Sequence, residues 1–543
     1  MAPTRPPARR SLLDLRPSYF AVVAAVSLFP IGRMLHLVRS GTHLQYNDYW
    51  YAFDRSVSDT GWLRLDNILE FDFAHLLAIP NAIYWLNARL LSGSNVTLGY
   101  FVILVVIAQV VLLWKLLPAR TSLPEPLIAT LAIAVPVLLF AVNGAWNFLV
   151  AMSGTAWLTA NLLVIAAIVA AQRDNPWAAG ALALLASVTY GTGLTAWPAV
   201  LVVLLLGGRS FKRTLPLAMV AAVVGGAYAW FYSPPEALKA TRPTWSEPLD
   251  VLGNGAALVG SVLVSDRALA LWIGAAALLF LTAAATFCVI RRVPGSAPWV
   301  GLALSATLST LMIGFERNVE VDVPSRYGSV ASLVWICLLV LLSLTRLPRP
   351  ATVLVAATVP LLVLFARTDR IDSITMSYDE QDELADALRL DVAGGVPQLL
   401  VGRFPELSDR LRLMDHYPFS DDYRADCGLL GTKLDHDASR SSDRAVAGEI
   451  SGTGPHPTYT RALRLQGHLN RPSSQVACII VTDESGSVVG VGRPTSTDET
   501  DPGSADPDTT AFEALAPMTA DEVEIWVRYR GADDLHLIGS AQP

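Results

Sequence analysis

The sequence has little charge for its length. Only 16% of the 543 residues are charged, whereas soluble domains carry roughly 25%, and 52% are hydrophobic. This shortage indicates that much of the chain lies in lipid. Acidic residues become frequent only from about residue 368, where the long apolar runs end, so the sequence predicts a membrane part followed by a soluble part. The net charge of −7 comes mostly from the soluble end, which argues against nucleic acid as a partner.

Cysteine is also scarce, with four residues and no CxxC spacing or His/Cys cluster, so we predict no structural zinc site. Cys288 and Cys337 fall within apolar runs and are expected to be small core residues. Cys427 and Cys478 lie in the soluble part. A disulfide between these two can form if that part lies outside the cytoplasm.

The N-terminus has a basic head, residues 1–18, followed by an apolar run that lacks a small-x-small cleavage site. This pattern predicts an uncleaved signal anchor with a cytoplasmic N-terminus.

Eleven apolar segments are candidate membrane spans, because a helix needs ~20 residues to cross the bilayer core. They cover residues 19–38, 98–117, 125–143, 153–171, 176–190, 194–207, 213–232, 269–290, 298–315, 327–345 and 350–367. With this layout every strong Arg/Lys cluster falls in a cytoplasmic loop. The stretch 249–264 is short and glycine-rich, so we read it as interfacial or re-entrant. The layout places the first long loop, 39–97, and the C-terminal part, 368–543, outside the cytoplasm.

The first outer loop combines acidic and aromatic residues. Asp48 lies in it among Tyr46, Tyr49, Trp50 and Tyr51. A carboxylate can accept a proton from a substrate hydroxyl, and aromatic faces offer a ligand apolar area with polar edges. The alternative interpretation is an ordinary aromatic belt at the membrane interface.

Four stretches carry a resemblance to a known family. They are AHLLAIPNAIYWLNARLLSGSN (74–95), GAWNFLVAMSGTAWL (144–158), YGTGLTAWP (190–198) and PSRYGSVASLVW (324–335). Together with an acid early in a long first outer loop, they resemble the GT-C superfamily of integral membrane glycosyltransferases. The first stretch also resembles uncharacterised bacterial membrane proteins of that type. The resemblance covers about residues 15–367.

The resemblance implies an enzyme of cell-envelope polysaccharide biosynthesis. Such an enzyme would move a sugar from a polyprenyl-phosphate donor in the bilayer to a glycan or glycolipid acceptor. Asp48 would be the general base. Relatives often have two adjacent acids here, whereas Asn47 precedes Asp48 in this chain. Asp72 or Glu70 is therefore a candidate second acid, and a divalent cation stays an open alternative.

Candidate ligands for the donor phosphate are Arg326, Arg317 and Tyr327, because arginine binds phosphate bidentately and can lie at lipid-phosphate depth at a helix end. A snorkelling arginine is the alternative. Candidate sugar- or acceptor-binding residues are Tyr46, Trp50, His75 and Asn147. Helix capping and interface anchoring are the alternatives for Asn147 and for its neighbours Asn143 and Trp146.

The soluble part begins with a connector, 368–444, that includes a short amphipathic helix at 377–391. From residue 445 the hydrophobic period becomes two, and about seven short strands predict a β-sandwich over 445–543. Similar sandwiches occur in arabinosyl- and related GT-C enzymes. The domain is expected either to bind carbohydrate or to cap the membrane part, and Trp526 faces either a sugar or the core.

Two other functions compete with glycosyl transfer. A transporter or flippase of lipid-linked glycan precursors should have broken helices or paired charges near the midplane, and the predicted spans are nearly free of charge. A polymerase or ligase of the O-antigen type usually has Arg and His in a large late outer loop, whereas the large loop here is early and acidic.

Overall fold

The structure is a computed structural model that describes residues 16–72, 75–118, 123–232, 248–316, 325–345, 349–365, 369–392, 404–434, 447–495, 509–519 and 522–542. The chain forms two compact units. The membrane unit comprises residues 1–41, 64–84 and 95–374, and the β unit comprises 42–63, 85–94 and 375–543. The predicted outer loop 39–97 is therefore divided between the two units.

The membrane unit is helical. Its helices are α1 (Pro17–Arg39), α4 (Asn95–Leu116), α5 (Glu125–Leu139), α6 (Trp146–Leu149), α7 (Ala151–Gln172), α8 (Pro176–Ser187), α9 (Ala196–Leu206), α10 (Phe211–Phe231), α11 (Pro248–Gly260), α12 (Arg267–Ile290), α13 (Ala297–Glu316), α14 (Gly328–Leu344) and α15 (Arg349–Leu364). A two-stranded hairpin, β1 (Phe71–Asp72) and β2 (His75–Leu76), precedes α3 (Ala78–Leu90), whose residues 78–84 belong to this unit.

Seven helices in the described part of the chain are long and apolar enough to cross a membrane. They are Pro17–Arg39, Asn95–Leu116, Glu125–Gly144, Ala151–Gln172, Phe211–Phe231, Arg267–Ile290 and Ala297–Glu316. The other four predicted spans are shorter apolar helices, at Pro176–Ser187, Gly191–Leu206, Gly328–Leu344 and Thr352–Leu364. These helices indicate a helical membrane protein, with seven candidate spans in the part of the chain that the structure describes.

Buried polar side chains bond main-chain carbonyls within the membrane unit, where unpaired groups are costly. Gln109 Nε2 donates to the Leu158 carbonyl at 2.8 Å and joins α4 to α7. Trp335 Nε1 donates to the Val259 carbonyl at 2.9 Å and joins α14 to α11.

Helix α11, in the segment predicted to be re-entrant, packs closely on α12 through glycine. A Cβ on Gly260 would lie 1.8 Å from the Ala270 carbonyl oxygen, so a larger residue cannot occupy that position without separating the helices.

The β unit contains α2 (Asn47–Ser56), α16 (Asp369–Arg389, from residue 375), α17 (Phe404–Leu413) and seven strands: β3 (Gly448–Pro455), β4 (Ala462–Leu469), β5 (Val476–Asp483), β6 (Val488–Pro494), β7 (Thr510–Pro517), β8 (Val523–Tyr529) and β9 (Leu535–Ala541). All neighbouring strands are antiparallel, in the order β3-β4-β7-β6-β5-β8-β9.

The predicted sandwich of two sheets is wrong, because the seven described strands form one sheet. Its end strands approach each other, with Thr453 Oγ1 donating to the Gln542 carbonyl at 3.4 Å, so the sheet is barrel-like. The period-two pattern shows which residues share a face, but it does not show how the strands divide between sheets.

Both faces of this sheet are covered. Leu465, Ile479 and Ile525 belong to the core on one face. Trp526 belongs to the core on the other face, where its Nε1 donates to Thr482 Oγ1 at 3.2 Å, so its face meets core and not sugar. Residues 427–434 pack on that second core, and the Cys427–Cys478 disulfide that the sequence left open is formed there.

Candidate functional site

Aromatic rings from four separate segments form a continuous array in the membrane unit. The His75 ring centre lies 4.1 Å from that of Tyr190, and Tyr190 lies 4.2 Å from Trp157. Trp157 in turn contacts Tyr327 edge to face, with ring centres 5.3 Å apart. His75, Trp157 and Tyr327 are buried, so this array is a rigid scaffold and not an open stacking surface.

Arg326 lies at one end of the array, in the short 3-10 turn Ser325–Tyr327 that leads into α14. Its guanidinium carbon is 5.2 Å from the Tyr327 ring centre. Asn147, fully buried, donates from Nδ2 to the Arg326 carbonyl at 2.7 Å. The side chain of Asn147 therefore fixes the main chain that carries the arginine, which is a positioning role instead of the predicted sugar contact.

Glu316 lies at the other end of the array, as the last residue of α13. Its Oε1 accepts a hydrogen bond from the Tyr232 hydroxyl at 3.1 Å, and its Oε2 is 3.9 Å from His75 Nε2. The Glu316 side chain is 24% exposed, so solvent or a ligand can reach it. The membrane unit thus presents a reachable carboxylate and a guanidinium, joined by buried rings.

Gly191 follows Tyr190 where the chain passes closest to this cluster. A Cβ at position 191 would lie 3.0 Å from His75 Nδ1 and 3.0 Å from the Tyr228 hydroxyl oxygen. A side chain there would press on both groups and make them shift. The glycine of the YGTG stretch therefore leaves room for the close approach of the imidazole.

Asn143 is a second buried amide beside Arg326. It is 7% exposed, and neither its Oδ1 nor its Nδ2 has a hydrogen-bond partner in the described part of the chain. Its carbonyl oxygen would be 2.6 Å from a Cβ on Gly328, so the turn after α5 lies directly against the start of α14.

Asp48 lies in the β unit, exposed in the first turn of α2. Its aromatic neighbours mostly face inward. Tyr46, Tyr49 and Trp50 are 8%, 0% and 0% exposed, and only Tyr51 is open to solvent. The sugar contacts predicted for Tyr46 and Trp50 do not fit this burial, since both rings serve the core.

His416 is the centre of that core. The Tyr49 hydroxyl is 3.1 Å from His416 Nε2, and Nδ1 is 2.8 Å from the Tyr417 carbonyl oxygen. Because a carbonyl can only accept, Nδ1 carries the proton and Nε2 accepts from Tyr49. Burial lowers the pKa of His416 to about 4, so the imidazole is neutral at physiological pH.

The remaining predicted residues have no resolved role. Glu70 is exposed in the membrane unit. Asp72 pairs with His75 in the β1–β2 hairpin, and its side chain is outside the described atoms. Arg317 lies outside the described residues.

A second polar cluster lies in the β unit and has the residue types of a metal site. One ligand atom from each of Glu383, His456 and Glu513 lies within 4.8 Å of the others. His456 Nδ1 accepts the main-chain N–H groups of Thr458 and Tyr459, each at 3.0 Å. Nε2 therefore carries the ring proton, and it faces Glu383 Oε1 at 2.5 Å.

This hydrogen-bond pattern does not suit a metal ion. A histidine that binds metal normally donates from its other ring nitrogen, whereas Nδ1 of His456 accepts twice. Arg464 also engages both oxygens of Glu513, the second at 2.7 Å. Burial, and next the nearby Glu513, raise the pKa of Glu383 to about 7. The cluster is better described as a half-buried acid–imidazole contact between α16 and the sheet.

The sequence did not identify Glu316, Tyr190 or Trp157 as site residues. Tyr190 and Trp157 lie in two of the stretches that carry the family resemblance, but their stacking depends on tertiary structure. Glu316 had one local signal. A carboxylate at a helix C-terminus opposes the helix dipole, which is unfavourable without compensation.

Comparison with models of known protein families gives no match, and no curated protein matches the chain.

Proposed function

We propose that the protein is a membrane glycosyltransferase that moves a sugar from a polyprenyl-phosphate donor to an envelope glycan or glycolipid acceptor on the extracytoplasmic side. In this proposal all eleven apolar helices cross the bacterial plasma membrane. The N-terminus is cytoplasmic and the β unit is extracytoplasmic.

The distribution of charge supports this orientation. Positive residues are enriched in cytoplasmic loops. Arg173 follows the C-terminal end of α7, Arg213 lies in the first turn of α10, and Arg291 follows α12. Arg326 and Glu316 lie at helix ends that alternate with these, so the same rule assigns both to the opposite, extracytoplasmic side.

The placement of Arg326 is the observation that carries the proposal. A lipid phosphate lies at the ends of membrane helices, and arginine can bind it through two parallel N–H···O bonds. Here Asn147 fixes the main chain of Arg326 and Tyr327 packs beside its guanidinium. Such preorganisation reduces the cost of ordering a long side chain around the phosphate.

In the proposed reaction the bond between the donor's anomeric carbon and the phosphate oxygen breaks, and the acceptor oxygen bonds to that carbon. Arg326 stabilises the negative charge that develops on the leaving phosphate. The proton of the acceptor hydroxyl goes to a general base, the role that the sequence predicts for Asp48, whose carboxylate is exposed in the β unit. No metal ion is assigned to any step.

The test is transfer from a panel of radiolabelled polyprenyl-phosphate sugars, with the full chain in lipid nanodiscs. Arg326→Ala should raise KM for the donor by about 10- to 100-fold, because a charge-assisted phosphate contact contributes roughly 1.5–3 kcal/mol. Arg326→Lys should recover part of the loss. Arg291→Ala, which removes an exposed arginine at the opposite helix ends, is the matched control.

Asp48→Asn should lower kcat by about 10²- to 10⁴-fold with donor binding retained. Asp421→Asn, at an exposed acid of the same unit, should have no effect. Equal transfer by Asp48→Asn would move the base to another carboxylate. Absence of transfer from every donor, together with movement of lipid-linked glycans across vesicle membranes, would refute the transferase and favour a flippase.

A further inference from the structure

Glu316 occupies an electrostatically unfavourable position at a helix end, where side chains from two other segments contact it. As the last residue of α13 it faces the negative end of the helix dipole. The Tyr232 hydroxyl, just after α10, donates to Oε1 at 3.1 Å, and the His75 imidazole from β2 faces Oε2 at 3.9 Å. Three separate segments therefore converge to hold one reachable carboxylate.

The surroundings of this carboxylate fix its orientation. His75 is buried and packs against Tyr190 with ring centres 4.1 Å apart. Gly191 leaves room for the imidazole, since a Cβ there would be 3.0 Å from His75 Nδ1. The Glu316 side chain is 24% exposed, so a ligand can reach it. A fixed carboxylate of this kind is an acceptor for hydroxyl groups of a ligand.

We infer that Glu316, oriented by Tyr232 and His75, binds hydroxyl groups of an uncharged sugar ring of the substrate. The inference that the ligand is a sugar rests on the proposed transfer function. The preference for an uncharged ring follows from charge, because a uronate would bring a second carboxylate next to Glu316. Glu316 is the binding residue, and His75 and Tyr232 are positioning residues.

The experiment measures binding without any donor, using the full chain in nanodiscs. Dissociation constants of methyl α-mannoside, methyl β-galactoside, methyl α-arabinofuranoside and methyl β-glucuronide are determined by saturation-transfer-difference NMR. The native protein should bind at least one neutral glycoside about tenfold or more tightly than the glucuronide. Glu316→Gln should weaken that binding about tenfold and remove the discrimination against the glucuronide, since a charge-assisted hydrogen bond becomes a neutral one.

Two further variants separate binding from folding. Tyr232→Phe keeps the carboxylate and removes its 3.1 Å hydrogen bond, so a loss of about threefold is expected even if Glu316→Gln does not fold. Asp250→Asn, at an exposed acid of α11, should bind like the native protein.

Several results would overturn the inference. They are native-like binding by Tyr232→Phe and Glu316→Gln, equal affinity for glucuronide and neutral glycosides, or no binding of any glycoside by the native protein. Failure of the proposed function gives a different result. Neutral glycosides would then bind in a Glu316-dependent way, while no polyprenyl-phosphate sugar supports transfer.

Discussion

Gly93 should be among the least replaceable residues of the β unit, and Gly93→Ala tests why. Its φ is +62°, and a Cβ would lie 1.9 Å from His416 Nε2, the atom that accepts from the Tyr49 hydroxyl. Alanine must therefore displace a buried imidazole. The added methyl group overpacks the core at about 1–3 kcal/mol, and the lost hydrogen bond adds about 1–3 kcal/mol.

A matched control isolates the backbone contribution. Gly428 has a similar φ of +72°, but no atom lies within 4 Å of its Cβ position. Gly428→Ala should cost only about 1–2 kcal/mol, the price of a left-handed conformation for an L-residue. Gly93→Ala carries the same backbone cost plus the two terms above, so it should lose about 3–8 kcal/mol in total.

Hydrogen exchange measured by mass spectrometry on the full chain reports the opening free energy of residues 411–423 around His416. In Gly93→Ala these amides should exchange much faster than in the native protein, whereas Gly428→Ala should lower their opening free energy by no more than its backbone cost of about 1–2 kcal/mol. If the two variants lower the opening free energy equally, the imidazole clash contributes nothing and the reasoning is refuted.

Three other predictions concern separate parts of the chain. Glu383 has a folded-state pKa raised from 4.5 to about 7, so its contribution to stability is full below pH 4.5 and is lost as the pH rises through 7. Glu383→Gln should stabilise the β unit at pH 8 by about 1–2 kcal/mol after allowance for solvent screening. It should not stabilise the unit at pH 4. Thermal unfolding measured at pH 8 and at pH 4 checks this. Cys427→Ser should destabilise the β unit by about 2–4 kcal/mol, measured as a lower urea concentration at the midpoint of unfolding. An unchanged midpoint would show that the disulfide does not stabilise the unit. Gly191→Ala should displace His75 and weaken glycoside binding at Glu316 by about threefold or more, whereas Gly226→Ala, at an unobstructed position of α10, should not.

The sequence predicted eleven spans, and seven helices in the described part of the chain are long and apolar enough to cross a membrane, because span length and hydrophobicity are local properties. An arginine before an apolar helix is also visible in the chain, but the phosphate-binding role of Arg326 stays a prediction. The strands of the β unit were predictable from their period, but their arrangement in one curled sheet was not, because the pairing of β4 with β7 joins residues 41 to 55 apart in sequence.

The Glu316 site was harder to predict for a related reason. Its members come from β2, from the residue after α10 and from the end of α13, and no spacing rule links positions 75, 232 and 316. A pattern in sequence can indicate the type of an element, but the convergence of side chains from distant elements depends on packing. Only the unfavourable dipole position of Glu316 was a local signal.

Aromatic residues near an acid were the strongest sequence signal for a sugar site, yet most of them serve packing. Tyr84 and Trp85 show why. Consecutive residues of a helix point about 100° apart, and Tyr84 donates to the Met152 carbonyl at 2.8 Å within the membrane unit, while Trp85 donates to the Gly61 carbonyl at 3.0 Å within the β unit. An aromatic-rich loop that supplies two cores needs many rings even without a ligand. Partial exposure at an electrostatically unfavourable position, with side chains that hold the group there, is therefore a better sign of a functional group. Glu316 meets this criterion, whereas the Trp50 ring is fully buried and does not.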